Sequence, residues 1–205
     1  MDLRTLDPLQ LDALREVANI GAGHAATALS ELTGRRVMVD VPAVSVVRLE
    51  DVGTVLGDPG MVVSAVILRV EGELEGRALQ VFPETTAVAI ASALTRADAG
   101  PLMAFGEMER STMLEVGNAL TGAYLSALSM FIGKTTTTSV PALAIDMAAA
   151  VMTTGYLNFG EEEDHVFCMS TRLGFADRAD LPAHFLLLPD GASLRVILRA
   201  LHLDR

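Results

Sequence analysis

The sequence predicts a mixed α/β domain built from two matched halves, and three observations carry that expectation. Segments with helical apolar spacing alternate with apolar runs of strand length. The order of helix, proline-bearing strand, further strands and helix seen before residue 97 returns after it. Glu16, Asn19, Gly23, Gly34 and Pro42 recur as Glu115, Asn118, Gly122, Gly133 and Pro141, each 99 residues later without an insertion. An internal duplication is the economical explanation. With 205 residues and 51% hydrophobic content the chain can bury a sizeable core, whereas each half alone is marginal. The expectation is therefore one domain over 1–205, with repeats over about 8–97 and 105–203.

The elements follow in order. Asp7 as N-cap and Pro8 at the first helical position open a helix over 8–33, about 39 Å long by its rise per residue, which Gly34 ends. RVMVDVPAVSVVRL reads as a strand bent at Pro42, because proline cannot donate to a ladder. GMVVSAVILRVEGELEGRALQVF reads as two strands joined near Glu71 and Gly72, and PETTAVAIASALTR as a helix from Pro83. Residues 97–101, ADAGP, form a linker. EMERSTMLEVGNALTGAYLSALSMFIG is the second long helix and TTTTSVPALAI the second proline-bearing strand. HVFCMSTRLGF and HFLLLP are strands, and PDGASLRVILRAL closes the chain as a helix. Pro189 follows Pro83 by 106 residues, so the acidic run at 160–164, GEEED, accounts for the added length as a solvated loop.

Composition excludes several functions. Lys plus Arg number 15 against 26 Asp plus Glu, a net charge of −11, which argues against a partner held through phosphates. With no Trp, 2 Tyr and 7 Phe there is also little to stack bases on, so nucleic acid is not expected. Cys168 lies in a strand pattern and reads as core filler. The start, MDLRTLDPLQL, lacks a signal-peptide pattern, which gives a cytoplasmic expectation. The low-charge stretch at 135–160 opens with four threonines and contains Pro141 and Gly155, so a buried strand and short helix are expected there and no membrane insertion. His24, His165, His184 and His202 show no metal-ligand spacing. No P-loop, nucleophile elbow or dinucleotide fingerprint occurs, and the GAG at 21–23 lies inside a helix, where close packing is the better reading.

The two long helices hold the candidate chemistry. Asp12, Glu16 and Asn19 fall at i, i+4 and i+7 and share a face, with Leu14, Val17, Gly21 and Ala25 on another; Ser111, Glu115 and Asn118 repeat the pattern. Solvated stripes are ordinary on amphipathic helices, but asparagine is about 0.6 kcal/mol worse than alanine inside one. Two kept asparagines imply that the amide is wanted, for buried helix-to-helix hydrogen bonds or for chemistry. A Glu and an Asn on a convex helix make a poor active site alone. Inserted into a partner's cleft, the Glu can pair with a cation and the Asn can orient an attacking water.

The spacing [Asp or Ser]-x3-Glu-x2-Asn-x22-Pro occurs twice, as Asp12, Glu16, Asn19, Pro42 and as Ser111, Glu115, Asn118, Pro141. It resembles the signature of the CheC, CheX and FliY family of chemotaxis phosphatases, hydrolases that dephosphorylate the response regulator CheY in two-component signal transduction. Two intact copies over essentially the whole chain are most similar to the CheC branch. The resemblance implies a two-layer α/β (α+β) domain of pseudo-two-fold symmetry, with two long helices side by side on a mostly antiparallel sheet. It implies catalytic roles for Glu16, Asn19, Glu115 and Asn118, each Glu contacting a lysine of CheY and each Asn positioning water. Asp12 and Ser111 would support them, Pro42 and Pro141 would be structural, and the second site would be the more active. Mg2+ would be bound by CheY and no cofactor by this chain. A second partner, the deamidase CheD, would contact the segment around Asp146, for which a helix cap is the competing role. The rival function is a binding module of the same fold that acts as a phospho-CheY sink or CheD regulator. A flagellar switch component fits less well, since FliM in that family does not keep the Glu and Asn pair.

Overall fold

Leu14, Val17, Ala18, Ala22, Ala25 and Leu29 recur three or four residues apart, and α1 (Pro8–Thr33) forms with that line buried. Its length is the expected one, and Gly34 follows in the left-handed region at φ 63°. The computed structural model describes residues 8–156, 165–175 and 178–200, so the expected Asp7 cap, the acidic run at 160–164 and His202 lie outside the described residues.

β1 (Met38–Arg48) leads through a 3-10 turn into α2 (Val52–Leu56), followed by β2 (Val62–Gly72), β3 (Gly76–Pro83) and α3 (Glu84–Thr95). Beyond the 97–101 linker come α4 (Glu107–Ile132), β4 (Thr136–Thr138), β5 (Ala142–Met147), α5 (Ala148–Tyr156), β6 (His165–Phe175), β7 (Arg178–Pro189) and α6 (Gly191–Ala200). The sheet order is β1-β6-β7-β3-β2-β4, with β5 also on β2, and every pairing is antiparallel. The α+β class and the antiparallel sheet agree with the sequence expectation.

The pairing interleaves the chain. β1 pairs with β6, and β4 and β5 pair with β2, so each segment that follows a long helix joins a strand from the other side of the linker.

Both signature prolines mark breaks in an edge strand. The β1 register shifts between Asp40 and Ala43, around Pro42. The single strand expected at TTTTSVPALAI is instead two, β4 and β5, separated at Ser139–Pro141. Pro141 has no N–H to offer, and Ser139 bridges the gap. Its N–H donates to Arg69 O at 3.0 Å, and its hydroxyl accepts from Arg69 N–H at 3.0 Å.

One face of the sheet carries α1, α3, α4 and α6 around a core that includes Leu29, Phe82, Ile90, Leu120, Phe185 and Ile197. On the other face α2 and α5 cover a smaller cluster that includes Val52, Val63, Val81, Val151 and Leu186. Cys168 belongs to this second cluster, and burial pushes its thiol up to about 12, as suits a filler. α2 had no counterpart in the sequence reading, because five residues with an internal Gly53 are too few to show a period.

Candidate functional site

Burial of the opposite faces turns Asp12, Glu16 and Asn19 of α1, and Ser111, Glu115 and Asn118 of α4, out to solvent. The two helices pack against each other, so both lines belong to the exposed side of one helical layer. Exposure of both asparagines removes the alternative of buried helix-to-helix amide bonds. Glu16, Asn19, Glu115 and Asn118 are left available for an outside partner.

Glycine sets how closely the layers approach. A Cβ on Gly21 would sit 2.6 Å from Tyr124 Cδ1 and 3.2 Å from its Cα, so α1 meets α4 nearly backbone to backbone. Tyr124 in turn rests its ring 5.0 Å from that of Phe185 on β7. A Cβ on Gly117 would overlap the Val66 side chain of β2, which seats α4 directly on the sheet. Gly23 does not follow the close packing expected for the GAG segment. Among the described residues a Cβ there, or on Gly122, would meet nothing within 4 Å, although a glycine inside a helix costs about 1 kcal/mol relative to alanine.

α4 is held at both ends. Glu109 Oε2 accepts a hydrogen bond from Gly106 N–H at 3.0 Å, and Arg110 Nε donates to Phe105 O at 3.0 Å. At the other end Gly133, left-handed at φ 70°, and Lys134 both donate to Ser129 O, at 2.9 and 3.1 Å. Glu73, in the turn between β2 and β3, accepts from Lys134 Nζ, Thr135 N–H and Thr135 Oγ1, each at 2.9 Å. The Lys134 hydrogen bond leads, with the Thr135 bonds behind it, in holding the Glu73 carboxyl down at about 2. Between the second half of α4 and β4 runs a groove of about 510 Å3, which starts at Gly122 and is walled by Ser126, Met130 and Lys134 to Thr138.

The two lines differ in their supporting position. Asp12 is 70% exposed and lies 3.7 Å from Arg15 Nη1, itself exposed, whereas the residue matching Arg15 beside Ser111 is the half-buried Leu114. Pro42 is exposed and Pro141 half-buried at the strand breaks, and neither joins the helical lines. Asp146, near the end of β5, is exposed, and its Oδ1 accepts from Met147 N–H at 2.7 Å. The first N–H groups of α5 go instead to Met61 O and Pro59 O, so Asp146 does not cap that helix.

His24 is exposed, His165 half-buried, and His184 half-buried with Nδ1 3.4 Å from Ser170 Oγ and its pKa lowered by desolvation. Among the described residues no three His, Cys, Asp or Glu side chains gather as a metal site requires, and no helix is long and apolar enough to cross a membrane. The sequence reading missed the α4–β4 groove and the open setting of Gly23 and Gly122. The glycine register was its only trace of them.

Residues 9–46 match the model of the CheC-like family. Over 195 residues the chain is 31% identical to the CheY-P phosphatase CheC of Bacillus subtilis (strain 168), covering 94% of this chain and 93% of that one. The crystal structure of Thermotoga maritima FliY superposes with a TM-score of 0.77 at 20% identity, over 98% of this chain and 100% of that one. A chain of the CheX-CheY-BeF3-Mg2+ complex from Borrelia burgdorferi superposes with a TM-score of 0.52 at 17% identity, over 86% and 99%. The two structures share the fold.

Proposed function

The chain belongs to the CheC-like family, and from that premise we propose that it is a chemotaxis phosphatase that accelerates hydrolysis of the aspartyl phosphate of CheY. The observation that carries the reading is the pair of exposed Glu and Asn couples, Glu16 with Asn19 and Glu115 with Asn118, on adjoining helices. Each couple enters the phosphorylated site in turn. The Glu carboxylate pairs with a lysine of CheY and fixes the register of docking. The Asn amide, one turn along the same face, holds a water in line with the phosphorus. The water oxygen bonds to phosphorus as the phosphorus–oxygen bond to the aspartate breaks, giving inorganic phosphate and a free carboxylate, with the proton passing to phosphate. Mg2+ held in the CheY site neutralises charge on the phosphoryl oxygens.

Asp12 and Ser111 sit one turn before each Glu and steady the docking. Asp146, exposed beside Met147, which is 51% exposed, offers a carboxylate at an apolar surface for contact with CheD.

The test is the decay of phosphorylated CheY with Mg2+, alone, with this protein, and with its Asn19→Ala plus Asn118→Ala double variant. Acceleration that disappears in the folded double variant is the expected result. Tight binding of phospho-CheY or CheD without acceleration would instead favour the binding module.

A further inference from the structure

Each site line continues into a glycine that packs against no neighbour among the described residues. Gly23 and Gly122 lie four residues beyond Asn19 and Asn118, one turn along the exposed face. Neither has the positive φ that calls for glycine, and among the described residues a Cβ at either would meet nothing within 4 Å. Gly21 and Gly117 show what a packing glycine looks like in the same helices, since both are buried, against Tyr124 and Val66. Open glycines weaken a helix, and these two hold equivalent positions. What they supply is bare main chain beside each amide. At Gly122 the bare strip opens onto the α4–β4 groove, which gives an approaching loop a path off the helix.

We propose that Gly23 and Gly122 are positioning residues, clearings on which the main chain beside the phosphoaspartate of CheY rests so that Asn19 or Asn118 reaches its full depth. The proposal builds on the phosphatase reading. A methyl group at the clearing lifts the partner by roughly a bond length, and a displacement of about 1 Å at reacting atoms is enough to cost about 10²-fold in rate.

The experiment places Gly23→Ala in an Asn118→Ala chain and Gly122→Ala and Gly122→Leu in an Asn19→Ala chain, each compared with its parent, so that only the altered line turns over. Melting temperature, phospho-CheY turnover, and calorimetric binding of beryllofluoride-activated CheY are measured for each. The alanine variants should melt about 2–4 °C higher, as removal of a helical glycine predicts in a chain of this size. Their kcat/KM should fall about tenfold, and that of Gly122→Leu about 10²-fold, with binding weakened in step. Stability and function moving in opposite directions is a signature that a merely structural glycine would not give. A lower melting temperature for the alanine variants, or turnover and binding like the single-site parent in all three, would overturn the proposal and leave the phosphatase reading standing. If the wild-type chain fails to accelerate decay, the phosphatase reading falls by itself. Binding then decides the clearing, with weaker binding in the variants supporting it and equal binding overturning it.

Discussion

The α1 and α4 lines carry the same Glu and Asn at the same spacing, yet they are mounted differently. α1 leans on α4 and β1, whereas α4 lies between α1, α3, α6 and the sheet, with both ends tied by hydrogen bonds. Beside the first line Arg15, Ile20 and His24 are exposed; their counterparts Leu114, Ala119 and Ala123 are half-buried or buried. α4 exposes Met108, Arg110 and Met130 away from its Glu and Asn, while α1 places the exposed cation Arg15 directly beside Glu16. A copied motif is not a copied site, because burial of the surrounding helix decides what else the partner meets.

The largest test of that difference is at the amides. The double variant Asn19→Ala plus Asn118→Ala should lose about 10²-fold or more of the acceleration of CheY-P decay, as loss of a positioning hydrogen-bond group does elsewhere. Asn118→Ala alone should account for most of the loss, and equal losses from the two single variants would level the comparison.

Next come the seats of the helices. Gly117→Ala pushes a Cβ into Val66 and Gly21→Ala pushes one into Tyr124, so each should destabilise by about 1–3 kcal/mol in urea unfolding. Gly117 should cost the more, since its neighbour is a stiff β-branched side chain on a buried strand while the Tyr124 ring can turn.

Arg15→Leu in an Asn118→Ala background gives the first line the neighbour of the second. Turnover through the remaining Asn19 should rise a few-fold at low salt and less at high salt, because an exposed cation is screened. No change would mean that the flank is irrelevant.

The smallest effect sharpens the α4 side alone. Glu73 has an ordinary pKa of 4.5 and a folded value of about 2, so its contribution is present above 4.5 and lost as pH falls through about 2. The stability gap between wild type and Glu73→Gln should follow that course in unfolding midpoints taken across the range. A gap that does not shrink toward the acid end would mean that Glu73 is not what ties Thr135 and Lys134 to the turn.

Much of this was legible in the residues. Both long helices announce themselves because the apolar spacing runs for many turns between a proline or acidic start and a glycine stop. The Glu and Asn couples stand out because the register repeats them. Pairing order was not legible, since β1 finds β6 through contacts far apart in the chain. The split at Ser139–Pro141 was hidden because it depends on a serine hydroxyl meeting the Arg69 N–H of another strand. Gly21 and Gly23 look alike in sequence. Which faces a neighbour is settled only once α4 lies alongside.

The interleaved strands also set an order of events while the chain is being made. β1, with Val39, Val41, Val44 and Val46, leaves the ribosome about 120 residues before β6 exists to pair with it. At common synthesis rates that is a wait on the order of ten seconds with a valine-rich strand edge uncovered. The first Glu and Asn line can emerge early on a helix, but its platform arrives last. Until β6 is threaded in, that edge is a template on which a wrong strand can pair.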